Sequence, residues 1–538
     1  MVGGGNKKIS AEYLDNRRFY IGIDIFLNLV IFKVVLLKTN LRKKVCEMKR
    51  DTVILYQPKV DFLPYYPCFW APLSILSVAA PLVQKGIRVI ILDGNLGEHS
   101  KDRAIVAENI SRCICVGITS MIGGHQLERG LDFATHVKSL SANLPIVFGG
   151  PGASIIPDQL ITVPEIDFVV LGQGEKPFSD LVDNLIAGTN NNHISGVISK
   201  GTDDSKKVVP ILLDKNLFPP YPWHLLNVEK YIREDRYLGR RVLNYVSSQG
   251  CPYSCGYCSE VAVYHFRWTA FTAKRTFEEV KHLAKTFSLE GIKFYDANFF
   301  VNSKRVTEFA GYLLNDGIGI KWGASAHPKN IIKLSDQLAE IKQSGLSRLL
   351  VGAESGSPEA LKYIRKGCAT EEILLVAELC ARFQIAVAFT FIVGFPGIKE
   401  DIKATLDTVL EMKKISGDFD IKIHFYAPFP GTPLYHEARK NGYHAPASLR
   451  DWSIYDYYRI QTPWLAEKEE KKVRMFGDFY CDFLYPPSWF LDFISKKPLT
   501  RRVYAYLRKL AELRCRFHFY KVPLERMWFK MLIGKDAF

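Results

Sequence analysis

Three cysteines crowd one short stretch, Cys251-Pro-Tyr-Ser-Cys255-Gly-Tyr-Cys258. Three thiolates on so short a loop can hold three irons of a four-iron, four-sulfur cluster and leave the fourth iron open to an exogenous ligand. A closed zinc site asks for a fourth Cys or His in matching spacing, and the nearest candidate is His265, seven residues on. Eleven cysteines in 538 residues are too few for a disulfide scaffold. The crowding therefore points to a metal or cofactor site in a reducing compartment.

The elements that must position such a loop alternate along the chain. Residues 52–57 read as a buried strand, 73–84 as a helix closed by Gly86, and Arg88 to Leu92 as a second strand. Further strands follow at Cys113 to Thr119, Pro145 to Phe148 and Phe168 to Leu171, with helices around 101–110 and 125–140. Apolar strands alternating with helices predict a parallel sheet covered on both faces. Such sheets bind ligands at the carboxyl ends of their strands, which here are glycine-rich: Gly123-Gly124, Gly149-Gly150-Pro151-Gly152 and Gly172-Gln173-Gly174-Glu175. Residues 191–240 read as a linker with a hairpin and a Pro-rich stretch, Phe218 to Trp223.

From 241 a second series begins, with strands at Val242 to Ser247, Ile292 to Asp296, Lys321 to Ser325, Arg348 to Gly352, Ala386 to Val393 and Lys422 to Tyr426. Six strands suit a partial (β/α)6 barrel rather than an eight-fold one. The cysteine loop follows the first of them. The expected chain is thus α/β. Residues 1–47 are an extension, with Met48 as the expected start, and 48–190 form a doubly wound Rossmann-like sheet. The linker leads into the partial barrel at 241–440 and a helical, basic and aromatic region at 441–538.

The formal charge of +15 sits mainly at the two ends, and the body is close to neutral. A nucleic-acid binder carries its charge across the binding face, so none is expected here. Asp24, Asn28 and Lys33 interrupt the apolar run Phe19 to Leu37 and argue against a spanning helix. Arg501 to Phe517 reads as a helix with Val503, Leu507, Leu510, Leu513 and Phe517 on one face and basic residues around the rest. It suits either an anionic membrane surface or packing against the barrel.

The cysteine spacing, with an aromatic before the last cysteine, resembles the radical S-adenosylmethionine (SAM) enzymes. The resemblance implies that Cys251, Cys255 and Cys258 ligate a [4Fe-4S] cluster whose open iron chelates SAM. One electron then cleaves SAM to a 5′-deoxyadenosyl radical. It implies that Tyr257 packs by the adenine, and that Asp296, a loose match to the usual Gly-Gly-Glu pattern, binds the amino group. Glu354 and Ser355 would face the ribose or carboxylate. Gly394 and Pro428, in the segments that end the fifth and sixth strands, would also contact SAM.

Residues ~50–188 resemble the cobalamin-binding domain that precedes the barrel in one class of these enzymes. That implies corrinoid contacts at Thr119, Ser120, Gly149, Gly150, Gly172, Gly174 and Glu175. The chain departs from one pattern, since the loop Gln57 to Pro64 lacks the cobalt-ligating His and the nearest histidine is His99. Cobalamin is therefore expected without a protein His below it, and a domain that keeps the fold without the corrinoid stays open. The implied reaction is methylation of an unactivated carbon of a small-molecule or lipid-like substrate. Alternatives are a porphyrin-cyclase-like oxidative ring closure or rearrangement, and a cluster-bearing binding protein without turnover. A flavodoxin or ferredoxin is the implied electron donor and the cytoplasm the implied location, with contact at the membrane surface left open.

Overall fold

The computed structural model describes residues 50–61, 70–189, 194–202, 210–398, 401–453, 455, 463–495, 498–517, 519–520 and 523–533. The expected extension 1–47 lies outside them. Two sheets organise the rest. The front sheet runs β1 (Thr52–Gln57), β2 (Arg88–Asp93), β3 (Cys113–Thr119), β4 (Ile146–Gly149), β5 (Phe168–Val170) and β6 (Val197–Ser199), in the order β2-β1-β3-β4-β5-β6. The first five are parallel, and all seven residues of β3 are buried, as a sheet covered on both faces requires. The order reverses between β1 and β3, which opens a crevice at their carboxyl ends. Helix Leu73–Gln84 ends as expected, with Gly86 at φ +77.

The second sheet is a curled half-barrel. It comprises β7 (Arg233–Asp235), β8 (Gly239–Tyr245), β11 (Gly291–Phe294), β12 (Lys321–Ala326), β13 (Leu346–Glu354), β14 (Ala386–Val393) and β15 (Asp420–Phe425), in the order β15-β14-β13-β12-β11-β8-β7. Between β8 and β11, β9 (Ser248–Gly250) and β10 (Trp268–Ala270) form an antiparallel pair. The barrel helices are amphipathic in register with the sheet. Helix Ala273–Phe287 starts where the Thr272 hydroxyl accepts from Arg275 N–H, and it buries 273, 276, 277, 280, 283 and 284.

The segment between the sheets is more than a spacer. β6 joins the front sheet antiparallel to β5, while β7 joins the half-barrel and forms a hairpin with β8 through residues 236–238. Lys215, Tyr221 and Tyr231 of this segment are buried. The tail is helical, but helix Pro498–Arg516 turns a different face inward from the one expected. Tyr504, Ala511, Arg514 and Cys515 are buried, whereas Leu513 and Phe517 are exposed. The inward turn of Arg514 is offset by Glu525, fully buried, at 2.8 Å; sequence periodicity counts apolar residues and misses such a pair. Among the described residues no helix is long and apolar enough to cross a membrane.

Candidate active site

The cysteine loop leaves β9 through Gly250, whose φ is +78. A Cβ there would lie 2.2 Å from the Arg267 carbonyl oxygen, so only glycine lets the β9–β10 pair close. Backbone ties hold the loop from two sides. Gly256 N–H donates to the Ile364 carbonyl (2.8 Å), and the Gly256 carbonyl accepts from Leu434 N–H (2.9 Å). Tyr253 stacks on His327 with centroids 3.9 Å apart. His327 Nε2 meets the Lys366 carbonyl at 2.9 Å, and its Nδ1 accepts from Lys329 N–H. Burial and the nearby Lys366 ammonium push His327 down to about 3, so the ring is neutral and its tautomer is fixed by these two partners.

Cys255 is buried and Cys251 and Cys258 are half-buried. Burial pushes all three thiols up, Cys251 to about 11, and the Lys366 ammonium opposes this at Cys251 and Cys255. A metal that takes them as thiolates reverses the balance. His265 is exposed at the left-handed end of helix Ser259–Tyr264. Among the described residues no three His, Cys, Asp or Glu side chains converge closely enough for a single ion. Three thiols on one anchored loop fit a polynuclear iron–sulfur cluster.

Around the loop the half-barrel places buried charges. Glu354 ends β13 at φ +67, a conformation that costs a side-chain-bearing residue about 1–2 kcal/mol. Its Oε1 accepts from Lys366 Nζ at 3.0 Å, both side chains under a tenth exposed, and it takes the Tyr257 hydroxyl as well. The pair holds Lys366 well above the usual lysine range despite burial. Tyr257 also meets Phe395, centroids 6.4 Å apart. Asp296 is fully buried and committed: it accepts from Ser247 N–H (2.7 Å), Ser247 Oγ (2.6 Å) and Ser248 Oγ (2.6 Å). Its visible work is to hold the turn from β8 into β9. Ser355 points to the helix Asp401–Ile415, where its hydroxyl lies 3.0 Å from Thr405 Oγ1. The Gly394 carbonyl accepts from Trp464 Nε1 at 2.6 Å and the Pro428 carbonyl from the Tyr455 hydroxyl. The tail thus caps both strand ends.

The front sheet presents a cleft with about 760 Å³ of empty space between its face and the helices Leu73–Gln84 and Glu175–Ala187. Thr119, Gly149, Gly150, Gly172, Gly174 and Glu175 all line it. Ser120 does not; it is buried behind, its hydroxyl 3.5 Å from the Gly149 carbonyl. A missing side chain opens the slot at Gly117, where a Cβ would meet Leu55 Cδ2 at 2.7 Å. The Ser74 and Thr119 hydroxyls, 3.5 Å apart, stand on its wall. A slot with apolar walls, glycine backbone and a few hydroxyls suits a large cofactor such as cobalamin. Among the described residues no histidine lines it, and His99 opens onto a separate hollow with Tyr56 and Asp102.

Residues unread in the sequence join the two sites. Gln249, two residues before Cys251, lines the cleft; its Nε2 donates to Glu175 Oε1 at 2.8 Å, and its Oε1 accepts from Gln173 Nε2 at 2.9 Å. Glu175, fully buried, also takes the Ser77 hydroxyl, with Lys215 Nζ at 3.8 Å. Lys215 sits 4.6 Å from the Phe271 ring; burial pulls its ammonium down and Glu175 pulls it back up. Tyr264, beyond Cys258, lines the same cleft.

Comparison with known proteins agrees with this geometry. The family model for the Radical SAM superfamily matches residues 245–409, and that for the B12 binding domain matches 66–182. The chain belongs to the radical SAM enzymes that carry a B12-binding domain. A family whose chemistry runs on SAM, a [4Fe-4S] cluster and cobalamin thus accounts for both sites. The chain is 27% identical over 405 residues to an uncharacterized methyltransferase of Pyrococcus horikoshii, covering 74% of this chain and 85% of that one. It is 26% identical over 335 residues to an anaerobic magnesium-protoporphyrin IX monomethyl ester cyclase of Synechocystis, covering 61% and 66%. The fold overlays the cobalamin-dependent SAM radical enzyme OxsB with TM-score 0.66 at 16% identity, covering 90% of this chain and 75% of that one.

Proposed function

We propose that this enzyme methylates an unactivated carbon of a small-molecule or lipid-like substrate, using one SAM as methyl source and another as radical source. One observation carries the reading: Gln249 and Tyr264, which wall the front cleft, bracket Cys251 to Cys258 along the chain. A methyl donor and a radical must reach one carbon, so their sites must adjoin. When bound, the cluster supplies the electron that cleaves SAM, and cobalamin carries the methyl group.

The chain's own residues hold and shield. Cys251, Cys255 and Cys258 hold the irons, and Tyr257 and the Glu354–Lys366 pair wall the SAM side. Thr119 and the glycines at 149, 150, 172 and 174 admit the corrinoid tail. Asp296 and Glu175 act as positioning residues, one under each end of the β9 segment. Reduced, reconstituted protein with substrate should yield S-adenosylhomocysteine together with 5′-deoxyadenosine. The similarity to the Synechocystis cyclase supports a second reading, a ring closure, and 5′-deoxyadenosine alone would favour it.

The electron donor is a small redox protein such as a flavodoxin or ferredoxin. Peripheral membrane contact is supported by the exposed apolar side chains Leu499, Tyr506, Leu513, Phe517, Met527 and Met531 among the basic residues of the tail. Flotation with anionic but not neutral vesicles tests it.

A further inference from the structure

The half-barrel holds a second, open hollow with about 1300 Å³ of empty space, which none of the three cysteines lines. Charged residues of three strands line it: Lys293 in β11, Arg348 in β13 and Lys422 in β15. A strand of a buried parallel sheet is normally a near-continuous apolar run, so cations placed there need partners. Among the described residues, two carboxylates pair with these three. Asp235 lies 3.1 Å from Arg348 Nη1 and 3.7 Å from Lys293 Nζ. Asp420 lies 3.7 Å from Arg348 Nη2 and 3.6 Å from Lys422 Nζ. Both carboxylates are shared, and the wall keeps an excess of positive charge. Burial and the repulsion of Arg348 and Lys422 push the Lys293 ammonium down, as expected where a cation lacks its full complement of negative charge.

The rest of the lining is mainly apolar, with Ser325, Thr390 and His424 among it. Leu350 is 42% exposed in the middle of β13, and Trp70 at the rim packs against Tyr295, centroids 5.1 Å apart. Arg348 sits low on its strand, the third residue of β13. Glu354 lies six residues above Arg348 on β13, roughly 20 Å at about 3.3 Å per residue.

Resting on the radical reading above, we infer that this lumen binds an elongated, mostly apolar substrate by an acidic terminus, a carboxylate or a phosphate, held at Lys293, Arg348 and Lys422. The carbon that reacts then lies well away from that terminus, toward the Glu354 end.

Calorimetric titration of the full-length, cluster-reconstituted protein tests this with three probes of equal chain length: dodecanoate, dodecyl phosphate and dodecanol. The acids should bind about tenfold or more tightly than the alcohol. Binding of dodecanoate alone narrows the head group to a carboxylate, and binding of dodecyl phosphate alone narrows it to a phosphate. Lys422→Gln and Lys293→Met should each lose about tenfold for the acids, Lys422→Arg should restore most of it, and Arg502→Gln with Lys509→Gln on the outer helix should change nothing. Equal binding of the alcohol, or acid binding lost only in the outer-helix variant, overturns the inference. Wild-type SAM cleavage is measured in parallel. Its absence sinks the radical reading, whereas cleavage without acid preference sinks only the present one.

Discussion

The front sheet and the half-barrel build their sites by opposite means. The front cleft is made mainly by leaving side chains out: Gly117, Gly149, Gly150 and Gly174 open a slot with largely apolar walls, and its one buried carboxylate, Glu175, is already tied to Ser77 and Gln249. The half-barrel is made by putting charges in: Glu354 with Lys366, Asp296 beneath the cysteine loop, and three cations in the lumen. The contrast teaches that one site selects by shape and the other by electrostatics. A shape site should fail when filled, and a charge site when unpaired.

Four changes test that contrast. The largest effect is expected at the thiols: Cys255→Ala should bring iron from about four per chain to near zero and abolish reductive SAM cleavage, while cobalamin uptake by the front cleft persists. Next is Lys366→Met, which strands a buried Glu354 and should cost about 3–5 kcal/mol in denaturant unfolding; Lys366→Met with Glu354→Gln should recover much of it. Filling the slot is milder. In Gly150→Ala the new methyl meets Thr119 Oγ1 at 2.6 Å with φ at +89, costing about 1–2 kcal/mol. It should lower cobalamin binding about tenfold and leave iron content alone.

The smallest effect is at Asp102, whose Oδ2 is buried without a partner. Burial, helped by Glu98 and Asp93, raises its carboxyl to about 6. A raised acid binds its proton more tightly in the folded state, so stability is present below pH ~4 and is lost as pH rises through 6. Asp102→Asn should therefore stabilise the fold by about 1 kcal/mol at pH 8 and by almost nothing at pH 4, read from urea midpoints.

Sequence reading was clearest where one period or spacing rules. The strand β3 matches its expected bounds at Cys113 and Thr119, and β14 matches at Ala386 and Val393. The parallel sheets followed from apolar runs, and the cysteine loop from its spacing. Long-range pairing stayed hidden. Nothing local tells that Lys366 meets Glu354 twelve residues away, or that Gln249 reaches back to Glu175. Ser355 and Ser120 stand at strand ends, yet their hydroxyls face into the protein, which position along a strand does not reveal. The lumen cations did leave a signal: Lys293 and Arg348 each sit among apolar residues of their strands, and a charge in such a place asks for a partner.

The bond between Gln249 and Glu175 also sets an order of synthesis. Glu175 is enclosed by groups from residues 77, 215 and 249, and the last of these leaves the ribosome 74 residues after it. At ~5–20 residues per second that is a delay of roughly 4–15 s. The front domain emerges first but cannot bury its own carboxylate until β9, just past the first two strands of the half-barrel, is made. Until then it is a half-finished socket, and the cleft takes its final shape only as the segment that bears the cysteines arrives.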